Sequence, residues 1–213
     1  MVDLFTALGW TSALSVIVPG IILLTLIRGV KVASLRNLTI MLSLFAILHG
    51  FYHISFIFGL NAIGTIIDLV SALILVMIGM YYSNRVIAVS LFALALPDST
   101  TFAVPIVLVV ALVVFSNLAF KSKSLNSLQA QLSIFLIIWT VAEILRSLIT
   151  VGIISATYST ELFGLEVHTA AMVAFGFFIV FRYFKVARRA GNIPGDWLPK
   201  TNTRDISKKS AVR

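Results

Sequence analysis

The chain has 213 residues, 60% of them apolar and 11% charged, with a net charge of +8 and no cysteine. Soluble domains carry about a quarter of their residues as charges, so this composition excludes a soluble globular protein. The missing cysteines exclude disulfides, thiolate metal ligation and cysteine nucleophiles, and the positive charges are sorted by loop rather than gathered into a nucleic-acid surface.

The expectation is an all-α integral membrane protein. Residues 1–10 carry no basic region ahead of their apolar stretch, which reads as the start of a retained first helix rather than a cleaved signal. Apolar spans approaching the roughly 20 residues needed to cross a hydrocarbon core fall at 8–28, 36–59, 62–82, 86–97, 101–120, 127–152 and 161–183. The fourth, VIAVSLFALALP, is short. Counting it gives seven transmembrane helices, N-terminus outside and C-terminus inside. Arg28, Lys31, Arg36, Arg85, Lys121, Lys123 and the tail from Arg182 onward then share one side, and Asp3, Asp98 and Glu161 mark the other. Omitting it would split the positive loops between the two sides, against the positive-inside rule.

Residues 1–190 therefore read as one seven-helix transmembrane domain and 191–213 as a basic cytoplasmic tail. The tail has Gly, Pro and polar residues without apolar periodicity, the signature of disorder, and its charge suits anionic headgroups. The expected setting is the lipid bilayer of the cell membrane, with a homo-oligomer or a larger membrane complex as the partners to test and no nucleic acid.

An internal repeat is visible. Residues 34–47, SLRNLTIMLSLFAI, and 124–137, SLNSLQAQLSIFLI, agree at Ser34/Ser124, Leu35/Leu125, Leu38/Leu128, Leu42/Leu132, Ser43/Ser133, Phe45/Phe135 and Ile47/Ile137. Helices one and five share the pairs Val18-Pro19 and Val104-Pro105. The expectation is a parallel 3+1+3 repeat, about 8–82 and about 101–187 around a linker helix at about 86–97, related by an axis along the membrane normal. The same offset lays His53 on Glu143, and a longer outer loop in the second half lets Asp68 fall opposite His168.

The stretch AILHGFYHISFIFG, residues 46–59, holds two of the three histidines. His49 and His53 stand at i and i+4, which presents two ring nitrogens on one helix face. Helix rise puts His53, Asp68 and His168 roughly 9–11 Å below the outer boundary, with Arg146 level with them, Glu143 and His49 a turn deeper and Glu166 slightly shallower. Asp or Arg at a helix centre costs on the order of 2.5–3.5 kcal/mol on insertion scales, so this layer is the candidate site. Each member also has a structural reading: Arg146 paired with Glu143 three residues away, Asp68 bonded to His53, and Glu166 facing outer water.

Three functions follow. The first is a transporter or proton- or ion-coupled carrier, with His53, Asp68, Glu143 and His168 as relay and His49, Arg146 and Glu166 in support. The second is a zinc-dependent intramembrane hydrolase, with His49, His53, Asp68 and His168 as ligands and Glu143 as general base. In ingredients this resembles seven-helix membrane hydrolases such as the alkaline ceramidases and the adiponectin-receptor group, which have three histidines and an aspartate. Here the paired histidines are in helix two rather than seven, so no residue role is carried over. A b-type haem between His53 and His168 is a variant. The third is a non-enzymatic sensor or subunit. Retinal is excluded, because the nearest lysine to a Schiff-base position, Lys185, sits at the inner end of the last helix.

Overall fold

Apolar runs of this length leave backbone polar groups no water to bond, so each run satisfies its own N–H and C=O groups as a helix. The computed structural model describes residues 3–27, 30, 33–83, 100–122, 124, 125 and 127–189. The helices are α1 (Leu4–Leu26), α2 (Ala33–Ile57), α3 (Asn61–Ser83), α4 (Thr100–Phe120), α5 (Leu128–Thr150) and α6 (Tyr158–Arg189). Six helices among the described residues are long and apolar enough to cross a membrane. The span expected at 86–97 and the tail at 191–213 lie outside the described residues.

Local chemistry marks the helix ends. Asp3 caps α1 by accepting the Thr6 N–H at 2.7 Å, and Ser127 caps α5 by accepting the Ala130 N–H at 3.1 Å. These side chains satisfy amides that have no partner within the helix. Past their C-terminal ends, α2 and α5 are followed by glycines in the left-handed region, Gly59 (φ 71°) and Gly152 (φ 78°), a conformation that costs glycine nothing.

Each helix packs on its neighbours in sequence, and α6 returns to pack on α1. Two of the seams are parallel. Thr65 and Asp68 of α3 share a cavity wall with Val104 and Pro105 of α4, and further along Gly79 abuts Val114 and Phe115. On the other seam Phe5 meets Tyr158 at 5.5 Å between ring centroids, Ser12 bonds Thr169 at 2.8 Å, and Gly176 abuts Ser15 and Pro19. A Cβ on Gly176 would stand 2.0 Å from the Ser15 carbonyl oxygen, so this approach depends on glycine.

The core lies where α2, α5 and α6 converge. Phe45 packs edge-on against Trp139 at 5.0 Å and against Phe175 at 5.9 Å, and all three are fully buried. Leu14, Val18, Ile21, Val113, Phe177 and Phe181 point outward, an apolar exterior that hydrocarbon can solvate. One expected match fails: Pro19 falls late in α1 against Gly176, whereas Pro105 falls early in α4 beside the Asp68 cavity. The two Val-Pro pairs stand at different levels and do not correspond.

Candidate functional site

His49 and His53 extend from one face of α2, Asp68 and Ser71 from α3, Trp139 and Glu143 from α5, and His168 from α6. All seven are buried, His49, Ser71, Trp139 and His168 completely. Polar side chains this deep in an apolar bundle need partners, and each ring's partners constrain where its proton sits.

His168 lies between two of them. Its Nδ1 is 2.6 Å from Glu143 Oε2, and its Nε2 is 2.9 Å from His53 Nε2. The ring N–H is not aligned with the carboxylate oxygen, so we read the first contact as charge and proximity rather than as a directed hydrogen bond; neither atom has another partner. A carboxylate this close favours a proton on Nδ1, and in the neutral ring that tautomer leaves Nε2 as a lone pair. In that tautomer His53 Nε2–H is the donor to it.

His49 is turned in the same way. Its Nδ1 is 3.3 Å from Ser71 Oγ and 3.5 Å from Asp68 Oδ1. Ser71 donates its own hydrogen to the Asp68 carbonyl at 2.8 Å, so its oxygen accepts from His49 Nδ1–H. In that tautomer His49 Nε2 is a buried lone pair without a partner among the described residues.

One ring nitrogen from each of His49, His53 and His168 lies within 4.8 Å of the others, a group that can hold a metal ion. Two of these imidazoles carry a carboxylate at Nδ1, the arrangement by which outer residues orient metal-binding histidines and raise their basicity. Nitrogens at 2.0–2.1 Å from a tetrahedral zinc are about 3.3 Å apart. The 2.9 Å contact would open by a few tenths of an ångström, and His53 would move its proton to Nδ1 or release it.

Several expected pairings come out differently. Arg146 makes no ion pair with Glu143; its guanidinium lies over the Tyr52 ring at 5.1 Å and the Phe56 ring at 5.9 Å. Three residues advance a helix by 300°, so the two side chains point about 60° apart, Glu143 to the bundle axis and Arg146 to the aromatic edge of α2. Asp68 adjoins His49 rather than His53, and it lies outside the three residues whose ligand atoms converge. Glu166 is exposed on α6 and takes no part in the group. Ser71 was not anticipated. Its signal was present, since it stands three residues after Asp68 and so near the same face.

Next to Asp68 a cavity of about 90 Å³ is bounded by Tyr52, Thr65, Pro105 and Arg146. A second, of about 420 Å³, lies beyond Arg146 at the end of the bundle where α1 and α6 begin.

No protein-family model matches the chain, and no curated protein or solved structure matches it.

Proposed function

We propose that this multi-pass protein holds a zinc-class metal ion between His49, His53 and His168, and that its chemistry is metal-dependent hydrolysis within the membrane. The observation that carries the reading is the orientation of two imidazoles, His168 by Glu143 and His49 by Asp68 and Ser71, so that ring nitrogens of all three histidines converge within 4.8 Å. An ion held by these three histidines would supply a water of lowered pKa as nucleophile. Glu143 is occupied by His168, so it acts as a positioning residue. Asp68 also bears on a histidine, but at the longer distance of 3.5 Å, and unlike Glu143 it borders the smaller cavity, which favours it as general base.

The full chain, purified in neutral detergent, should carry about one zinc-class ion per molecule by elemental analysis. Cobalt substitution should give the visible absorption of a tetrahedral nitrogen site, and His168→Ala should lose both. Failure of the folded, reconstituted chain to bind either zinc or cobalt would overturn the metal reading.

A second reading has its own support. The 2.9 Å contact between His53 and His168 is a good hydrogen bond without any ion, and with Glu143 it forms a relay of the kind a proton-coupled carrier needs. Metal-free protein that moves protons in liposomes would favour it.

The expected seven-span topology and parallel repeat belong to the same proposal. Their support is the parallel sense of α3 and α4, which an intervening crossing requires, and the second parallel seam between α6 and α1. The pairs His49–Asp68 and Glu143–His168 bridge α2/α3 and α5/α6, the seams that a two-fold repeat would equate.

A further inference from the structure

Among the described residues Arg146 makes no ion pair with a carboxylate. Glu143 serves His168, Asp68 serves His49, and Arg146 Nη1 is shielded from solvent without a hydrogen bond. The faces of Tyr52 and Phe56 supply part of the missing stabilisation. A guanidinium among apolar walls still calls for a counter-charge in contact with it; Asp68 and Glu143 act on it through space, but no carboxylate of the described residues reaches ion-pair distance.

Space adjoins the cation on both sides, since Arg146 lines the inner cavity of about 90 Å³ and the outer one of about 420 Å³. The outer cavity falls in the range of small-ligand sites. Its walls are mainly apolar, with Phe5, Phe56, Ile149 and Leu165, and among the described residues lining it the one anionic side chain is Glu161, which is exposed and therefore screened by water.

The geometry points to Arg146 as the anchor of a binding site for an amphiphile with an oxyanion head, a carboxylate or a phosphate. The head enters the outer cavity and pairs with the guanidinium, whose planar fork matches either oxyanion, and the chain lies along the apolar walls. Fatty acids and single-chain phospholipids share this chemistry with free acetate and phosphate. The apolar walls favour the amphiphiles. This site stands independently of the metal reading, because it uses none of the three histidines.

Calorimetric titration of the full chain in neutral detergent, with and without zinc, tests it. The probes are oleate, lysophosphatidate, monoolein as the neutral control, acetate and inorganic phosphate. The anionic amphiphiles should bind more tightly than monoolein by roughly tenfold or more, and Arg146→Gln should abolish that difference while Arg146→Lys keeps part of it. Because Glu161 is exposed and screened, Glu161→Gln should tighten binding only slightly. Ala156→Trp, in the exposed connection between α5 and α6 and lining the outer cavity, should weaken binding without replacing Arg146, which covers the case of an Arg146 variant that does not fold. Acetate or phosphate binding as tightly as the amphiphiles would keep the arginine anchor and overturn the amphiphile. Equal affinity for oleate and monoolein, or tight oleate binding by folded Arg146→Gln, would overturn the site.

Discussion

Glu143 and His168 meet at 2.6 Å, carboxylate Oε2 to ring Nδ1, across the seam between α5 and α6. Asp68 bears on the Nδ1 of His49 across the seam between α2 and α3, at 3.5 Å. In both pairs the carboxylate bears on Nδ1, which leaves Nε2 as the other ring nitrogen.

Glu143→Gln tests that orientation. The amide keeps the shape and removes the charge, so zinc affinity should fall by about 10–100-fold, the usual loss when such an orienting partner is changed. Asp68→Asn should cost less, because its contact is longer and Ser71 also holds His49. Chelator competition on the folded variants measures both. Wild-type affinity in Glu143→Gln would mean that the carboxylate does not orient the ring.

Gly176→Val should separate α6 from α1. Even the first carbon of the side chain would stand 2.0 Å from a backbone oxygen, and backbone cannot turn aside as a side chain can. A loss of about 1–3 kcal/mol is the usual scale of overpacking, and a backbone clash belongs at its upper end. At Gly9 a Cβ would stand 3.2 Å from the Ile57 side chain. Gly9→Ala should therefore be near neutral, with helix propensity in its favour. Thermal unfolding in detergent compares the two.

The polar layer was legible in the sequence because charges inside apolar helices are conspicuous and helix rise converts their positions into depth. His53, Asp68, Glu143 and His168 were found in this way. Their pairing was not legible. Which carboxylate meets which imidazole depends on the rotation of each helix about its own axis, and apolar residues all around a helix leave that rotation unmarked. Arg146 shows the consequence: its spacing from Glu143 suggested an ion pair, yet the turn of α5 sends it to Tyr52 and Phe56. The Val-Pro pairs mislead for a related reason, since a dipeptide match carries no depth.

Membrane orientation is open to direct labelling, because the native chain has no cysteine. A cysteine at Ser155, exposed between α5 and α6, should react with an impermeant maleimide added to intact cells. One at Ser210 in the tail should react only after the cells are opened. Labelling of the tail position from outside would reverse the orientation.

Asp3 should make the start of α1 sensitive to acid. Its hydrogen bond from the Thr6 N–H holds the carboxyl below its usual pKa. The contribution of the cap is therefore present above the unfolded value and is lost as pH falls through the folded one, below the ordinary aspartate range. Amide exchange over the first turn should accelerate in that window. Asp3→Asn, still a good cap, should remove the pH dependence, and Asp3→Ala should fray the turn at every pH.

His49 and His53 separate the two functional readings. They are one turn apart on α2, with ring centroids 5.1 Å apart and nearly perpendicular, yet their surroundings differ. His49 stacks on Phe45, meets the edge of Trp139, and is held at Nδ1 by α3. His53 has its bond to His168. In a metal centre each supplies one ligand, so His49→Gln and His53→Gln should both remove the ion and the activity that depends on it. In a proton relay only His53 continues the line from Glu143 through His168, so His53→Gln should stop metal-free proton uptake into liposomes and His49→Gln should leave most of it. Elemental analysis and uptake measured on the same two preparations decide between them. If both variants keep wild-type metal content and wild-type uptake, neither reading survives, and the histidines serve only to join α2 to α3 and α6.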